Sequence, residues 1–327
     1  MAVISYINAV TLAIKEEMER DSRVFVVGED VGKRGGVFRA TDGLYELFGE
    51  ERVIDAPLAE SAIAGVAIGA AMYGMRPIAE IQFADFIMPA VNQIVSEAAK
   101  IRYRSNNDWQ CPLVVRAPYG GGVHGALYHS QSVEAMFNNT PGLKIVAPST
   151  PYDVKGLLKA AIRSEDPVLF FEHKRCYRLI KGEVPETDYT LPIGKADVKR
   201  EGTDVTVISY GLMLHYALQA AEKLEQEGIS THVLDLRTLY PLDKEAIIEA
   251  AAKTGKVLLI NEDNKEGGLL GEVAAIIAEH AFFELDAPIQ RLAGPDVPAM
   301  PYAPTMEKFF MPNPDKIIKA IRDLAQY

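Results

Sequence analysis

The feature that most constrains the fold is an alternation of short β-branched runs with helical stretches over residues 203–327. The apolar runs are VTVISYG, THVLDL and KVLLINED. Between them, LMLHYALQAAEKLEQEG and DKEAIIEAAAKTG repeat apolar residues at helical spacing. Strands that are connected through helices run parallel to one another, with right-handed crossovers. The alternation therefore predicts a parallel sheet that is flanked by helices.

The first 184 residues show the same pattern less regularly. RVFVVGEDV, PLVVRAPYGGG and PVLFFEH are typical of buried parallel strands, and residues 60–74 and 88–104 are predicted helices. The proline-rich stretch after Gly294 is expected to be irregular up to a last short helix. We predict an α/β protein with two domains of mainly parallel sheets, at residues 1–184 and 203–327, joined by a linker at 185–202.

Charge and composition argue against several classes of partner. The chain has 45 acidic and 34 basic residues, and its net charge of −11 disfavours nucleic acid and anionic membranes. Two cysteines are too few for a disulfide framework. The longest uncharged run, residues 61–75, is shorter than the ~20 residues that span a bilayer, and no secretion signal is recognisable. We therefore expect a cytoplasmic protein.

The stretch APYGGGVHGALYHSQS, residues 117–132, combines four glycines with His124 and His129. It does not match a dinucleotide-binding fingerprint, which opens a helix and is followed by an acid about 20 residues later. The two histidines also lack the spacing of a metal-binding pair on one helix face. The remaining interpretation is a flexible loop that presents His129 to a substrate, although a single loop histidine is more often structural.

Glu60 is the second candidate, because it is the only charged residue between Asp55 and Arg76. It precedes a helix of alanine and glycine in which Gly65 and Gly69 allow another helix or a flat ring to come close. A carboxylate in such apolar surroundings is suited to sharing a proton with a ligand. The alternative is an acidic residue that interacts with the helix dipole. Aromatic residues at the following strand-to-helix corner either belong to the core or face a heteroaromatic ring.

Several long motifs, in order along the chain, resemble one enzyme family. They are GEDVGKRGGVFRATDGL, DAPLAESAIAG, AEIQFADF, GALYHSQS, PGLKIVAPSTPYDVKGLL, VLDLRTLYPLD and INEDNKEGGLLGEVAA. The chain resembles the β subunit of the thiamine diphosphate-dependent E1 component of 2-oxo acid dehydrogenase complexes. GALYHSQS is more similar to the branched-chain (2-oxoisovalerate) class than to the pyruvate class. The resemblance implies a pyrimidine-binding domain followed by a transketolase C-terminal-like domain.

The resemblance also implies roles for individual residues. Glu60 matches the glutamate that hydrogen-bonds N1′ of the cofactor's aminopyrimidine, and Phe86 matches the aromatic residue that packs against this ring. Leu58 and Gln82 match positions that line the same pocket. His129 matches the histidine expected to donate a proton as the acyl group passes to lipoamide, with Tyr128 and Ser130 as neighbours that shape the acyl pocket.

Metal binding is expected to be divided between two subunits. Related enzymes hold Mg²⁺ and the diphosphate through a G-D-G motif, and GDG occurs nowhere in this chain. The resemblance therefore implies that an E1 α subunit supplies this half of the site in an α2β2 heterotetramer. It also implies a potassium ion bound by loop carbonyls, although the side chain at the third ligand position of the family differs here. The positions are Leu113, Val114, Ala161, Ser164 and Asp166.

The remaining expectations concern partners and alternatives. Glu284, Asp286 and Asp296 could meet a basic subunit-binding domain of the E2 dihydrolipoyl acyltransferase, or could simply be solvated. Within the family, the alternative is a pyruvate or acetoin dehydrogenase E1 β subunit. Outside the enzyme class, the alternative is a non-catalytic subunit that only docks E2. A third hypothesis, a nucleotide-binding α/β protein, is supported only by the glycine-rich turns.

Overall fold

The computed structural model describes all 327 residues, which form two compact units. The first unit comprises residues 1–119 and 136–193, and the second comprises residues 120–135 and 194–327. The histidine-containing loop therefore packs with the second unit, whereas the predicted boundary at residue 184 assigned it to the first domain. The predicted limits of the linker stay a prediction.

Six strands of the first unit form a parallel arrangement in the order β6–β7–β5–β4–β2–β3, and β1 pairs antiparallel with β8. The strands predicted from the three apolar runs are β2, β5 and β7, and all of their residues are buried. The strands are β1 (Ala2–Ser5), β2 (Val24–Gly28), β3 (Val53–Asp55), β4 (Arg76–Glu80), β5 (Val114–Tyr119), β6 (Lys144–Val146), β7 (Val168–His173) and β8 (Lys181–Val184).

Two helices of the first unit begin at residues whose side chains cap them. The Ser5 hydroxyl accepts a hydrogen bond from the Asn8 N–H (3.3 Å), and Thr150 caps a helix whose first residue is Pro151. The α-helices are α1 (Tyr6–Arg20), α2 (Leu44–Phe48), α3 (Glu60–Met72), α4 (Ile101–Arg104), α5 (Pro151–Arg163) and α6 (Cys176–Leu179). The predicted helix at 60–74 is confirmed as α3.

The segment before α4 differs from the regular helix that was predicted at 88–104. It consists of a 3-10 helix (Ala84–Ala90), a π-helix (Asn92–Glu97) and a second 3-10 helix (Ala98–Lys100). Pro89 lies inside the first of these and has no N–H to continue an α-helical ladder. π-Helical turns are frequent at functional sites, and Phe86 lies in the 3-10 helix that precedes this π-helix.

A buried ion network joins the three central strands of the first unit. Arg116 on β5 donates to Glu80 on β4 (2.5 Å) and to both carboxylate oxygens of Glu172 on β7 (2.6 and 2.7 Å). The side chains of Arg116 and Glu172 are completely buried, and the Tyr177 hydroxyl also donates to Glu172 (2.6 Å). Burial raises the pKa of Glu80, although the positive charge of Arg116 opposes the effect.

The second unit confirms the predicted alternation. Its sheet has the order β14–β13–β10–β11–β9, in which only β9 is antiparallel to its neighbour. The strands are β9 (Asp197–Arg200), β10 (Val205–Ser209), β11 (Thr231–Asp235), β12 (Thr238–Tyr240), β13 (Val257–Asn264) and β14 (Gln290–Gly294). The helices are α7 (Leu212–Glu225), α8 (Lys244–Thr254), α9 (Leu270–His280), α10 (Pro304–Phe310) and α11 (Pro314–Ala325).

Two local predictions for the second half were wrong. The stretch after Gly294 is not irregular throughout, because α10 forms within it, with Pro304 in its first turn. The last helix is not short either, since α11 has 12 residues and is capped by the Asn313 side chain.

Cys111 and Cys176 are both free and buried. None of the helices is long and apolar enough to cross a membrane.

A buried carboxyl group connects the histidine-containing loop to the sheet of the second unit. Glu134 is completely buried, and its Oε1 accepts a hydrogen bond from the Tyr210 hydroxyl (2.7 Å). Burial raises the pKa of Glu134 to about 8, and the negative charges of Asp263 and Glu262 contribute further. Burial also raises the pKa of Asp263, to about 6. These carboxyl groups hold protons in the folded chain at pH values where exposed carboxyls are ionised.

Arg116→Met is expected to lower the free energy of unfolding by ~3–5 kcal/mol, because two carboxylates then remain buried without their cation. Urea unfolding of the purified chain measures the loss. Arg104→Met is the matched control, since Arg104 forms an exposed pair with Glu97 and its removal should change stability by only about 0.5 kcal/mol. Equal losses in the two variants would contradict a structural role for the buried network.

Stability is expected to fall as the pH rises from about 5 to 8, because the folded state binds more protons than the unfolded state in this range. Glu134→Gln removes the titrating group and should flatten this dependence, leaving the part that Asp263 contributes below about pH 6. The midpoints of urea unfolding at pH 5 and pH 8 measure how stability depends on pH in the wild type and in the variant. In the control Glu266→Gln, which alters an exposed side chain, the wild-type pH dependence should persist.

Candidate active site

The carboxyl ends of β2, β3 and β4 lie at one edge of the first sheet, because these strands are parallel neighbours. Open parallel sheets bind ligands at this edge. Glu29 directly follows β2, Leu58 and Glu60 follow β3, and Gln82 follows β4. Four residues from three segments of the chain therefore emerge at the same edge.

Glu60 is the first residue of α3 and is half-buried. The residue before it, Ala59, offers no side-chain cap, so the first turn of the helix keeps its unsatisfied N–H groups. The positive end of the helix dipole favours a carboxylate at this position. The Glu60 carboxylate forms no hydrogen bond or ion pair within the chain. It therefore remains available to a ligand. Glu60 can interact with the helix dipole and share a proton with a ligand at the same time.

Glu29 is a neighbouring acid that the sequence interpretation missed. Burial raises its pKa, and the negative charges of Asp30 and Glu60 contribute further. Gln82 donates from Nε2 to the Glu29 carbonyl oxygen at 3.4 Å, so Gln82 and Glu29 lie side by side. The sequence signal that could have identified Glu29 is its position directly after a buried strand, in VFVVGED.

Phe86 belongs to a row of aromatic rings at this edge. Its ring lies 5.5 Å from that of Phe83, which in turn lies 5.2 Å from Phe38, and both contacts are edge-to-face. The ammonium group of Lys174 lies 5.7 Å from the Phe83 centroid. All three phenylalanines are half-buried, so Phe86 retains exposed ring surface and is not simply a core residue.

The outer face of α3 is open. Gly65 and Gly69 are exposed, and a Cβ atom added at Gly69 would meet nothing within 4 Å. A Cβ atom added at Gly65 would lie 4.0 Å from Cγ of Gln93, so only the approach that Gly69 permits is left unused by this chain. Leu58, just before the helix, is also 72% exposed.

His129 lies in the loop of the second unit and is half-buried, with Tyr128 exposed beside it. Ser130 is completely buried, and its hydroxyl accepts a hydrogen bond from the Gly125 N–H (3.1 Å). This serine stabilises the loop from within. The loop also receives contacts from Glu262 and Glu307, which the sequence interpretation missed because they lie more than 100 residues further along the chain.

The residues expected to hold potassium surround the connection between α5 and β7. The Leu113 carbonyl accepts from the Val168 N–H (2.8 Å), the Ala161 carbonyl accepts from the Ser164 N–H (3.1 Å), and the Ser164 hydroxyl donates to the Asp166 carbonyl (3.0 Å). Val114 is the first residue of β5. The structure therefore brings these five positions together.

The Asp166 side chain is already paired with two cations. Its carboxylate accepts from Arg102 Nε (2.5 Å) and lies 3.2 Å from Lys144 Nζ. Burial opposes ionisation, but these partners lower the pKa of Asp166 below its usual value. Only backbone carbonyls at this site would fit potassium. The chain contains no group of three or more histidine, cysteine, aspartate or glutamate side chains that could hold a metal ion.

The three acids considered for E2 binding are all exposed, but they do not form one cluster. Glu284 and Asp286 both lie next to Gly255 at the end of α8, and the Asp286 N–H donates to the Gly255 carbonyl (2.8 Å). Asp296 follows β14, in a different loop.

Comparison with known proteins identifies both halves of the chain. Residues 2–180 match the transketolase pyrimidine binding domain, and residues 194–317 match the transketolase C-terminal domain. A solved structure described as a split-gene transketolase, an inactive β4 tetramer, superimposes with a TM-score of 0.77 at 25% sequence identity. It covers 99% of this chain and 98% of that chain.

Two curated relatives cover the full length of both chains. The chain is 80% identical to the 2-oxoisovalerate dehydrogenase subunit beta of Bacillus subtilis. It is 46% identical to the pyruvate dehydrogenase E1 component subunit beta of the same organism. The two matched domains, in this order and over the whole length, are those expected from the sequence motifs. The chain belongs to the family of 2-oxo acid dehydrogenase E1 β subunits, which are built from a transketolase pyrimidine-binding domain and a transketolase C-terminal domain.

Proposed function

We propose that this chain is the β subunit of a branched-chain 2-oxo acid dehydrogenase E1, of the 3-methyl-2-oxobutanoate dehydrogenase type. The enzyme would carry out oxidative decarboxylation of the 2-oxo acid and reductive acylation of E2 lipoyl groups. The observation that carries the proposal is the full-length 80% identity to a 2-oxoisovalerate dehydrogenase β subunit, against 46% for a pyruvate dehydrogenase relative. The unpaired carboxylate of Glu60 at the ligand-binding edge of the sheet supports a catalytic role.

Thiamine diphosphate, when bound, supplies the nucleophilic carbon and the electron sink that decarboxylation of a 2-oxo acid requires. The contribution of this chain is to hold and activate the pyrimidine ring. The Glu60 carboxyl would share a proton with N1′, which controls the basicity of the 4′-amino group. Phe86 offers a half-buried aromatic surface for the ring, and Gln82 and Leu58 would line the same pocket.

His129 is proposed to donate the proton that accompanies acyl transfer to the lipoyl group. An imidazole titrates near neutral pH and can both give and take a proton there. His129 lies on a glycine-rich loop and is half-buried. Glu60 belongs to the first unit of the chain, and His129 belongs to the second.

The diphosphate and Mg²⁺ are assigned to an E1 α subunit in an α2β2 heterotetramer. The motif that binds them in related enzymes is missing from this sequence, and the open glycine face of α3 provides a surface for a second chain. Potassium bound by the carbonyls around Ser164 remains part of the proposal, with Asp166 contributing its carbonyl and not its carboxylate.

For E2, the exposed pair Glu284 and Asp286 is the stronger candidate for a basic subunit-binding domain, because the two residues adjoin. Electrostatic attraction of this kind would weaken with ionic strength. A pyruvate or acetoin dehydrogenase β subunit is the nearest alternative, since pockets that differ by a methylene separate substrates only about 10–200-fold.

Glu60→Gln in the reconstituted α2β2 enzyme is expected to lower kcat about 10²–10⁴-fold, because the amide cannot share a proton with N1′. Decarboxylation with an artificial electron acceptor measures the loss. Glu50→Gln, which alters an exposed residue of the same unit, should behave as wild type. Wild-type turnover in Glu60→Gln would instead favour a subunit that only docks E2.

The chain alone is expected to have no decarboxylase activity, and coexpression with an E1 α chain should restore it. Rates with 2-oxoisovalerate, 2-oxo-4-methylvalerate and pyruvate then test the substrate class. The branched substrates should be preferred in kcat/KM. A preference for pyruvate of about tenfold or more would exceed what overlapping pockets explain and would reassign the chain to the pyruvate class.

A further inference from the structure

We infer that Glu307 is a positioning residue for His129, and that it acts by fixing the backbone of the loop formed by residues 120–135. The inference rests on the proposed role of His129 in acyl transfer. Glu307 lies in α10, nearly 180 residues after the histidine, and no motif in the sequence connects the two. Both the loop and α10 belong to the second unit.

The loop has a conformation that it would not keep without support. Gly120, Gly122, His124 and Ala126 all have positive φ angles, with values of 57° and 56° at the two non-glycine residues. The left-handed region is unfavourable for residues with a Cβ atom, and such conformations persist only where surrounding contacts impose them. Some part of the second unit must therefore hold residues 122–126.

Glu307 provides that contact. Its side chain is only 4% exposed, and its Oε1 accepts hydrogen bonds from the N–H groups of Gly122 (3.0 Å) and His124 (3.2 Å). Its Oε2 lies 2.6 Å from Nδ1 of His124. One buried carboxylate is thus satisfied by three groups of a single short segment, and hydrogen bonds to a charged acceptor are stronger than those between neutral groups.

The anchored segment is coupled to His129 over a very short distance. The Gly125 N–H donates to the Ser130 hydroxyl (3.1 Å), and a Cβ atom on Gly125 would lie 2.7 Å from Cβ of His129. The Gly120 N–H closes the loop by donating to the Gln131 carbonyl (3.0 Å). A displacement at residues 122–125 therefore moves the backbone of His129 directly.

Glu262 anchors the base of the same loop. It accepts hydrogen bonds from the Gly121 N–H (3.1 Å) and from the Ser132 hydroxyl (3.1 Å). Because this second anchor is independent, loss of Glu307 should loosen the segment that supports His129 while the loop stays attached. The effect should appear in acyl transfer and not in the folding of the unit.

The test uses the reconstituted α2β2 enzyme with a lipoyl domain of E2 as acceptor. Glu307→Ala is expected to slow acylation of the lipoyl domain about tenfold or more, while decarboxylation measured with an artificial acceptor stays within about threefold. Glu307→Gln keeps one oxygen acceptor and should recover part of the acylation rate. Glu272→Ala, an exposed glutamate of α9, is the matched control and should match wild type.

Two further readouts separate positioning from general structure. Hydrogen exchange at the Gly122 and His124 amides should be faster in Glu307→Ala and unchanged in Glu272→Ala. In a double-mutant cycle, Glu307→Ala combined with His129→Ala should be no slower than His129→Ala alone, because the glutamate acts through the histidine. Multiplicative losses, or wild-type exchange and acylation in Glu307→Ala, would overturn the inference.

A failure of the proposed role of His129 gives results that differ from a failure of the inference about Glu307. If His129→Ala acylates the lipoyl domain at the wild-type rate, the proposed role of His129 is wrong, and a positioning role for Glu307 falls with it. If His129→Ala is impaired but Glu307→Ala is not, only the inference about Glu307 fails. Should Glu307→Ala reduce the yield of folded enzyme, the same comparisons are made with Glu307→Gln.

Discussion

A single buried guanidinium organises the edge of the sheet on which the candidate site depends. Arg116 on β5 binds Glu80 on β4 and Glu172 on β7, so it ties together the three central parallel strands. Gln82 follows Glu80 by two residues, and the histidine-containing loop begins where β5 ends. An ion pair of this kind contributes little net stability against an apolar replacement, but it is costly to break. Its value here lies in fixing the relative positions of strand ends from which site residues emerge.

The loop at residues 120–135 is connected to the first unit by the chain, but it packs with the second unit. It continues from a strand of the first unit, yet its hydrogen bonds go to Glu262, Glu307 and Tyr210 of the second. A glycine-rich loop has high conformational entropy when free, so external contacts are needed to give it one conformation. The second unit therefore takes part in presenting His129, although it contributes no proposed catalytic side chain from its sheet or helices.

Sequence reasoning was most successful where the physical signal is local. Continuous apolar runs such as Val205–Ser209 are buried on both faces of a parallel sheet and alternate with amphipathic helices, so their assignment was confirmed. The contacts of the Glu307 carboxylate were missed, because they join residues that are distant in sequence. Glu60 was found because it is an isolated charge, but its role came from the family resemblance and stays a prediction.

Glu307 of the second unit and Glu60 of the first unit differ in what satisfies their carboxylates, and this difference separates a structural group from an available one. Glu307 accepts from two backbone N–H groups and contacts an imidazole, so groups of this chain satisfy both of its oxygens. Glu60 has no donor within the chain although it is half-buried at a helix N-terminus. Because Glu60 is only half-buried, water can solvate its carboxylate when no ligand is bound. Of these two carboxylates, Glu60 is therefore the one that stays free to accept a hydrogen bond from a ligand.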